Sequence, residues 1–260
     1  MDEDLSTLFV EERRGKLLDI IKQKRRVTIV ELAEGYNLGE ATVRRDLIAL
    51  ENKGLVKRAH GGAILADRMA EEIAYNDRVG QNTKEKQAIA AAMVQYVSDG
   101  EAIFLDGGTT TLCVANVLRA KSNLIVLTNS PAVAAEIAEV NGTTALLTGG
   151  EYHVRVNALF GPLTMAAIRQ FRVDHAILGM SAMMPDQGFF TVSHNEAEVK
   201  RSVIDYANKT TVVMDSSKIG KSVFSFVCGF DHIDQLIIDS GVPSKVVETL
   251  ENKGVEVVIV

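Results

Sequence analysis

From Thr28 to Leu50 the chain reads TIVELAEGYNLGEATVRRDLIAL. Thr28 and Glu31 stand three apart ahead of apolar residues, the spacing of a capping box: the hydroxyl caps the first turn and Glu31 reaches back. The short helix that follows carries Ile29, Leu32 and Ala33. It stops near Gly35-Tyr36-Asn37, where Gly and Asn suit a left-handed turn. Leu38 is an apolar plug inside that turn. A third helix starts near Gly39-Glu40 and runs to Asn52. On its helical projection Val43, Leu47 and Leu50 fall within about 40° of one another and form the core face. Arg45 lies nearly opposite, beside Ala41, with Thr42 and Arg44 on the flanks. Ahead of these, Glu11 to Lys24 is a longer helix with Leu17, Leu18, Ile20 and Ile21 at helical spacing. A long helix followed by two short ones around a tight turn, over about 27–52, is helix-turn-helix geometry.

After Gly54 the run Leu55 to Ile64 reads as two short strands around Gly61-Gly62, the wing of a winged helix. Lys57 and Arg58 suit phosphate contacts, which position without reading sequence. His60 contacts DNA or simply closes the turn. Arg44 and Arg45 sit where a recognition helix meets base edges. Arginine pairs with guanine, and small residues such as Ala41 and Thr42 approach a thymine methyl. Thr28 completes the set of candidate DNA-facing residues.

Charge supports this division. Residues 13–60 hold 12 Lys+Arg against 6 Asp+Glu, whereas residues 61–260 hold 16 against 23, and the 260-residue chain carries −6 overall. A basic segment on an acidic body suggests a nucleic-acid module, although chance clustering on solvated helices gives the same numbers. The apolar runs are too short to span a bilayer, and the acidic start lacks the cationic lead of a signal peptide. Two distant cysteines, Cys113 and Cys228, make neither a CxxC pair nor a disulfide framework, which fits a cytoplasmic protein.

Residues 64–80 are polar and read as a linker, and 81–260 as a second domain. Apolar β-branched runs alternate there with helical stretches. The strands expected are Ala102–Leu105, Leu124–Leu127, Ala145–Leu147, Ala176–Leu178, Thr211–Met214, Leu236–Ile238 and Val255–Ile259. The helices expected include Lys84–Val97, Leu112–Leu118, Ala132–Glu139, Met165–Phe171, Glu196–Asn208 and Ser244–Lys253. This is a mainly parallel α/β sheet, and such sheets bind ligands beyond the carboxyl ends of their strands. The first strand runs into Asp106-Gly107-Gly108-Thr109-Thr110-Thr111 and then a helix. Glycines admit a ligand close to the backbone, and threonines and helix N–H groups donate to anions. Asp106 has the wrong sign for phosphate, so it serves a sugar hydroxyl or orients the loop. Similar polar corners recur at Thr128-Asn129-Ser130, at Thr148-Gly149-Gly150 with Arg155 after it, at Gly179-Met180-Ser181 and at Asp215-Ser216-Ser217-Lys218. Converging on one sheet edge, with Arg155 and Lys218, they suit a phosphorylated polyol. Glu196 and Lys200, four apart on a helix, read by chemistry alone as an exposed ion pair.

Enzyme motifs fail here. A Walker loop ending at Gly220-Lys221-Ser222 needs glycine at Asp215. A nucleophile elbow at Gly179-Met180-Ser181 needs glycine at Met183. No strand leads into GxGxxG, and His194-Asn195-Glu196 lacks the second histidine of a zinc protease. No catalytic, metal or cofactor residue is assigned.

Taken together, Glu12-Arg13-Arg14, Leu32-Ala33-Glu34, Ala41 to Leu47 and Arg58 to Ala63 resemble the DNA-binding region of DeoR-family bacterial transcriptional regulators. Gly39 departs from that pattern, which usually has Ser there. Asp106 to Thr111, Thr128-Asn129, Thr148 to Glu151, Gly161-Pro162, Glu196 to Lys200 and Asp215 to Lys218 are similar to the family's sensor domain. The resemblance runs from about residue 9 to the end. It implies a sensor domain folded like sugar-phosphate isomerases, a phosphorylated-sugar effector, a homo-oligomer (dimer or tetramer) and repression of a carbohydrate operon, with the ligand releasing operator DNA. With it, the residues expected on the effector are Asp106, Gly107, Gly108, Thr109, Thr110, Thr111, Thr128, Asn129, Gly149, Gly150, Arg155, Ser181, Glu196, Lys200 and Lys218. The alternatives are a sugar-phosphate isomerase with an accessory DNA domain, and a sugar-binding protein acting through protein partners.

Overall fold

Thr28 closes its capping box. Glu31 N–H donates to Thr28 Oγ1 at 3.1 Å, and Thr28 N–H donates to Glu31 Oε2 at 2.7 Å. The computed structural model describes residues 4–24, 26–52, 56–59, 61–65, 75–140, 142–221 and 223–260. They fall in two units, Met1–Met69 and Ala70–Val260.

The first unit contains α1 (Val10–Lys24), β1 (Arg26–Thr28), α2 (Ile29–Gly35), α3 (Glu40–Asn52), β2 (Val56–Ala59) and β3 (Gly62–Leu65). The strands pair antiparallel in the order β1-β3-β2. Strand β1 has no counterpart among the expected strands. It is three residues long, and its pairing to Ala63 and Gly62 is invisible in local sequence. Gly62 is required there, because a Cβ would lie 2.1 Å from Val27 O. The core is Leu17, Ile21, Val27, Leu32, Leu38, Val43, Leu47, Leu50 and Val56. It includes the whole expected face of α3 and the Leu38 plug. One charged group joins it. Asp46 is 1% exposed and accepts from Arg13 Nε at 2.7 Å and Arg14 Nε at 3.0 Å. Two charge-assisted bonds from α1 thus hold α3.

The second unit opens with α4 (Tyr75–Val79) and α5 (Thr83–Met93). Of the span 64–80 read as linker, residues 64–65 complete β3, Tyr75–Val79 form α4, and 66–74 lie outside the described residues. Then come β4 (Ala102–Leu105), α6 (Thr109–Val117), β5 (Ile125–Thr128), α7 (Pro131–Ile137), β6 (Thr144–Leu147), β7 (Glu151–His153), β8 (Ala158–Phe160) and α8 (Pro162–Ile168). The chain continues through β9 (Val173–Gly179), β10 (Ala182–Met184), β11 (Gly188–Thr191), α9 (His194–Asp205), β12 (Ala207–Val213), β13 (Ser225–Cys228), β14 (Gln235–Ile238), α10 (Ser244–Glu251) and β15 (Glu256–Ile259). The seven expected strands form one seven-stranded sheet, β15-β14-β12-β9-β4-β5-β6, with every pair parallel. Its residues alternate between two cores. Ile103, Leu105 and Ile177 face α5, α6 and α7, whereas Phe104, Ala176 and Leu178 share a cluster with residues of α8, α9 and α10. Strands covered on both faces read as unbroken apolar runs, which is why they were legible.

Several boundaries differ. Helix α6 begins at Thr109, so Thr109, Thr110 and Thr111 are its first turn and not loop. The expected helix 196–208 ends at Asp205, and Ala207 already belongs to β12. Helix α8 spans Pro162–Ile168, where 165–171 was expected. The β7–β8 hairpin and the antiparallel β10-β11-β13 sheet are additions.

A polar row crosses the sheet. His175 Nε2 lies 2.7 Å from Thr211 Oγ1, which donates to Gln235 Oε1 at 3.1 Å, and Gln235 Nε2 donates to Glu256 Oε2 at 3.0 Å. Such a chain fixes the register of β9, β12, β14 and β15. Burial pulls the His175 pKa from 6.5 to about 4. Between those values the unfolded chain binds the proton and the fold does not. Stability is therefore complete above pH 6.5 and falls by about 3 kcal/mol as pH drops towards 4. Urea unfolding across this range should show that slope in the wild type and a shallower one in H175Q. Equal slopes would contradict the assignment.

Candidate functional site

Two regions collect the residues singled out by the sequence, one in each unit. In the first, α3 exposes Ala41, Arg44 and Arg45 at its N-terminal half, and Thr42 is half-buried. Arg44 is paired along the helix with Glu40, Nη2 to Oε2 at 2.8 Å, while both stay exposed. The buried side of α3 is locked into the core and to α1 through Asp46, so the arginine face is held outward. The Thr28 hydroxyl is committed to Glu31, donating to Oε2 at 2.9 Å, and serves the cap. The side chains of Lys57 and Arg58, and all of His60, lie outside the described residues.

In the second unit a cleft opens at the carboxyl ends of β4, β9 and β12, where strand order reverses between β4 and β9. Eight of the fifteen expected effector residues line it: Asp106, Gly107, Gly108, Thr109, Thr110, Ser181, Glu196 and Lys218. The other seven do not. Thr111 Oγ1 donates to Gly108 O at 3.0 Å inside the turn. Asn129 Oδ1 accepts from Gly107 N–H at 3.1 Å, and its Nδ2 donates to Leu159 O at 3.2 Å. Thr128 is fully buried, and its Oγ1 accepts from Ser130 N–H at 3.1 Å. These three shape the loop from behind. Gly149 and Gly150 turn the chain into the β7–β8 hairpin, and Arg155 is exposed at the hairpin's turn.

Lys200 is the largest revision. It is 1% exposed, so the lysine of the ion pair expected at the surface with Glu196 is buried. Its Nζ is paired with Asp106 Oδ2 and stands 3.3 Å from Glu196 Oε1. Asp106 Oδ2 also accepts from Gly179 N–H at 3.2 Å, joining the ends of β4 and β9. Burial alone would pull the Lys200 ammonium down. The two carboxylates beside it outweigh that and hold its pKa above the ordinary lysine range. Asp106 is thereby neutralised and serves the loop's orientation.

The wall opposite is cationic. Arg78 of α4, Lys86 of α5 and Lys218 all line the cleft. Lys86 is 4% exposed, and its Nζ donates to the carbonyls of Arg78 and, at 2.6 Å, Gln81. Burial lowers the pKa of both Lys86 and Lys218. Asp215 opposes the shift, and Arg78 adds to it. The α6 N-terminus faces the same space with Gly108 as its cap and no side-chain cap bond. Intrahelical bonding starts with Leu112 N–H to Gly108 O, so the N–H groups of Thr109 and Thr110 have no helical acceptor. Positive charges that raise one another's free energy, beside free helix N–H groups, favour an anion. Asp215 Oδ1 accepts from Asn82 Nδ2 at 2.8 Å, which holds the turn before α5 against the loop after β12. Among the described residues no group of three His, Cys, Asp or Glu is placed to hold a metal.

Arg78, Gln81, Asn82 and Lys86 were not foreseen. Lys86 carried a signal, because it shares the face of Ile89, Ala90 and Met93 in α5, and a lysine inside an apolar stripe asks for a partner. Arg78 carried none, lying in a polar stretch read as linker.

The family model "DeoR-like helix-turn-helix domain" matches residues 13–69, and "DeoR C terminal sensor domain" matches residues 81–240. The chain is similar to the HTH-type transcriptional regulator GlpR of Haloferax volcanii, 32% identical over 95% of this chain and 96% of that one. It is similar to the glycerol-3-phosphate regulon repressor of Escherichia coli K12, 30% identical over 94% and 97%. Among solved structures, ribose 5-phosphate isomerase A of Methanocaldococcus jannaschii matches 54% of this chain and 55% of its own, at 17% identity and a TM-score of 0.39.

Removing the charge that seats the loop should be costly. K200M leaves the buried Asp106, and the half-buried Glu196 beside it, without their cation, an expected loss of roughly 3–5 kcal/mol read by thermal unfolding. D106N in the same chain should restore part of it, and an unchanged midpoint in K200M would refute the buried-pair account.

Proposed function

The chain belongs to the DeoR family of transcriptional regulators, and from that premise we propose that it represses a carbohydrate-utilisation operon in the cytoplasm and is released from DNA by a phosphorylated sugar. One observation carries the effector half of this reading. The cleft sets Arg78, Lys86, Lys218 and the uncapped start of α6 beside Ser181 and the carboxylates of Glu196 and Asp215. Cations and N–H groups suit the phosphate, and carboxylates and hydroxyls suit the sugar's hydroxyl groups. The name of one relative carries a phosphorylated polyol. The relatives are named as regulators and repressors, which leaves the isomerase alternative without support.

On DNA, α3 enters the major groove. Arg45 and Arg44 meet base edges, Ala41 and Thr42 pack on thymine methyls, and Lys57, Arg58 and His60 of the wing meet phosphates. A homo-oligomer pairs two such helices on repeated half-sites. The effector acts by population shift, which requires it to bind the DNA-incompetent arrangement more tightly than the competent one.

Fluorescence anisotropy on DNA from upstream of the protein's own operon, at fixed salt, tests both halves. One member of a sugar-phosphate panel that includes glycerol 3-phosphate should release tight, sequence-specific binding. Binding no tighter than to random DNA would reject the operator reading, and no response to any phosphorylated compound would reject the effector. In the same assay R45A should lose about 1–3 kcal/mol, or roughly 5- to 150-fold, on the specific site and little on random DNA. Unchanged operator affinity would remove Arg45 from the base-reading set.

A further inference from the structure

Arg78 combines three properties. It reaches the cleft; its Nε–H is buried and has no hydrogen-bond partner among the described residues; and it belongs to α4, the first helix after the wing strand β3 among the described residues. The cationic groups nearest it on the cleft wall, Lys86 and Lys218, share its sign, so neither can accept its donor.

The backbone of α4 is already held at both ends. Tyr75 N–H donates to Arg155 O at 2.8 Å, and the Arg78 carbonyl accepts from Lys86 Nζ. The Arg78 Nε–H is therefore an unsatisfied donor on a tethered helix, with the guanidinium carbon 6.0 Å from the Tyr75 ring centroid. We infer that Arg78 is the residue that reports cleft occupancy. The phosphate of a phosphomonoester takes its Nε–H together with a terminal N–H in a two-pronged contact, and the resulting ordering of α4 passes the signal along the chain towards the DNA-binding unit. A planar fork matches a phosphate in a way an ammonium cannot. The same anion relieves the repulsion among Arg78, Lys86 and Lys218. Thr109 and Thr110 hold the ligand from α6, in the middle of the sensor unit. Arg78 holds it from the element nearest in sequence to the wing. This inference rests on the cleft being a phosphate site.

Hydrogen exchange of the full-length protein, with and without saturating inorganic phosphate, separates the two ideas. Phosphate should slow exchange by roughly fivefold or more in peptides covering both 75–82 and 107–112 of the wild type. In R78K, which keeps the charge but not the fork, and in R78Q, protection at 75–82 should vanish when phosphate is raised to match occupancy at 107–112. Wild-type protection at 107–112 alone would overturn the role of Arg78 and leave the cleft reading standing. Protection at neither segment would overturn both. Wild-type-like protection of 75–82 in R78K would show that charge suffices and would also overturn the inference.

Discussion

The ion pair between Lys200 and Asp106 is the constraint on which the sensor unit turns. Both groups are almost wholly withdrawn from water, and such a pair is stable only when every remaining lone pair and proton is used. Here Asp106 also takes the Gly179 amide, and Lys200 also faces Glu196. The three partners come from the end of β4, the end of β9 and the middle of α9. Their convergence fixes the loop that starts α6, and with it the direction in which the helix's free N–H groups point. A carboxylate at the lip of a cleft lined by Arg78, Lys86 and Lys218 has its charge cancelled by Lys200.

The DNA-binding unit uses the same device on a smaller scale. Asp46 is buried between two arginines of α1, so the outer face of α3 is set by a polar clamp as well as by apolar packing. Apolar contacts alone tolerate a helix rotating about its axis by a few degrees. Two directional bonds to one carboxylate do not. Arg44 and Arg45, immediately before Asp46 in sequence, inherit that orientation.

Legibility followed range. The cap at Thr28, the plug at Leu38 and the face of α3 are all decided within a few residues, and they could be read directly. The seven parallel strands were legible because burial on both faces leaves an apolar run that needs no partner to be noticed. Strand β7 is exposed at every position, so nothing in its composition marks it. The start of α6 was misplaced because three threonines and two glycines are poor helix formers, and only the tertiary loop makes them a first turn. The burial of Lys200 depends on a carboxylate 94 residues away. From sequence it is indistinguishable from a solvated pair with Glu196. Of the seven expected effector residues that miss the cleft wall, Thr111, Thr128 and Asn129 are polar because they build the loop. A residue that shapes a site and one that meets a ligand leave the same mark in a sequence.

The central seam of the sheet joins β4 to β9, where Ala102 N–H reaches Asp174 Oδ2 across 72 residues. In the first unit the link from Arg13 to Asp46 spans 33 residues. Contacts of long sequence separation form late, and domains nearest the N-terminus fold first during synthesis. On the ribosome the recognition helix gains all its core partners before the first strand of the seven-stranded sheet is made. A chain stalled or cut short in that interval would carry a finished DNA-binding unit with no sensor domain to govern it.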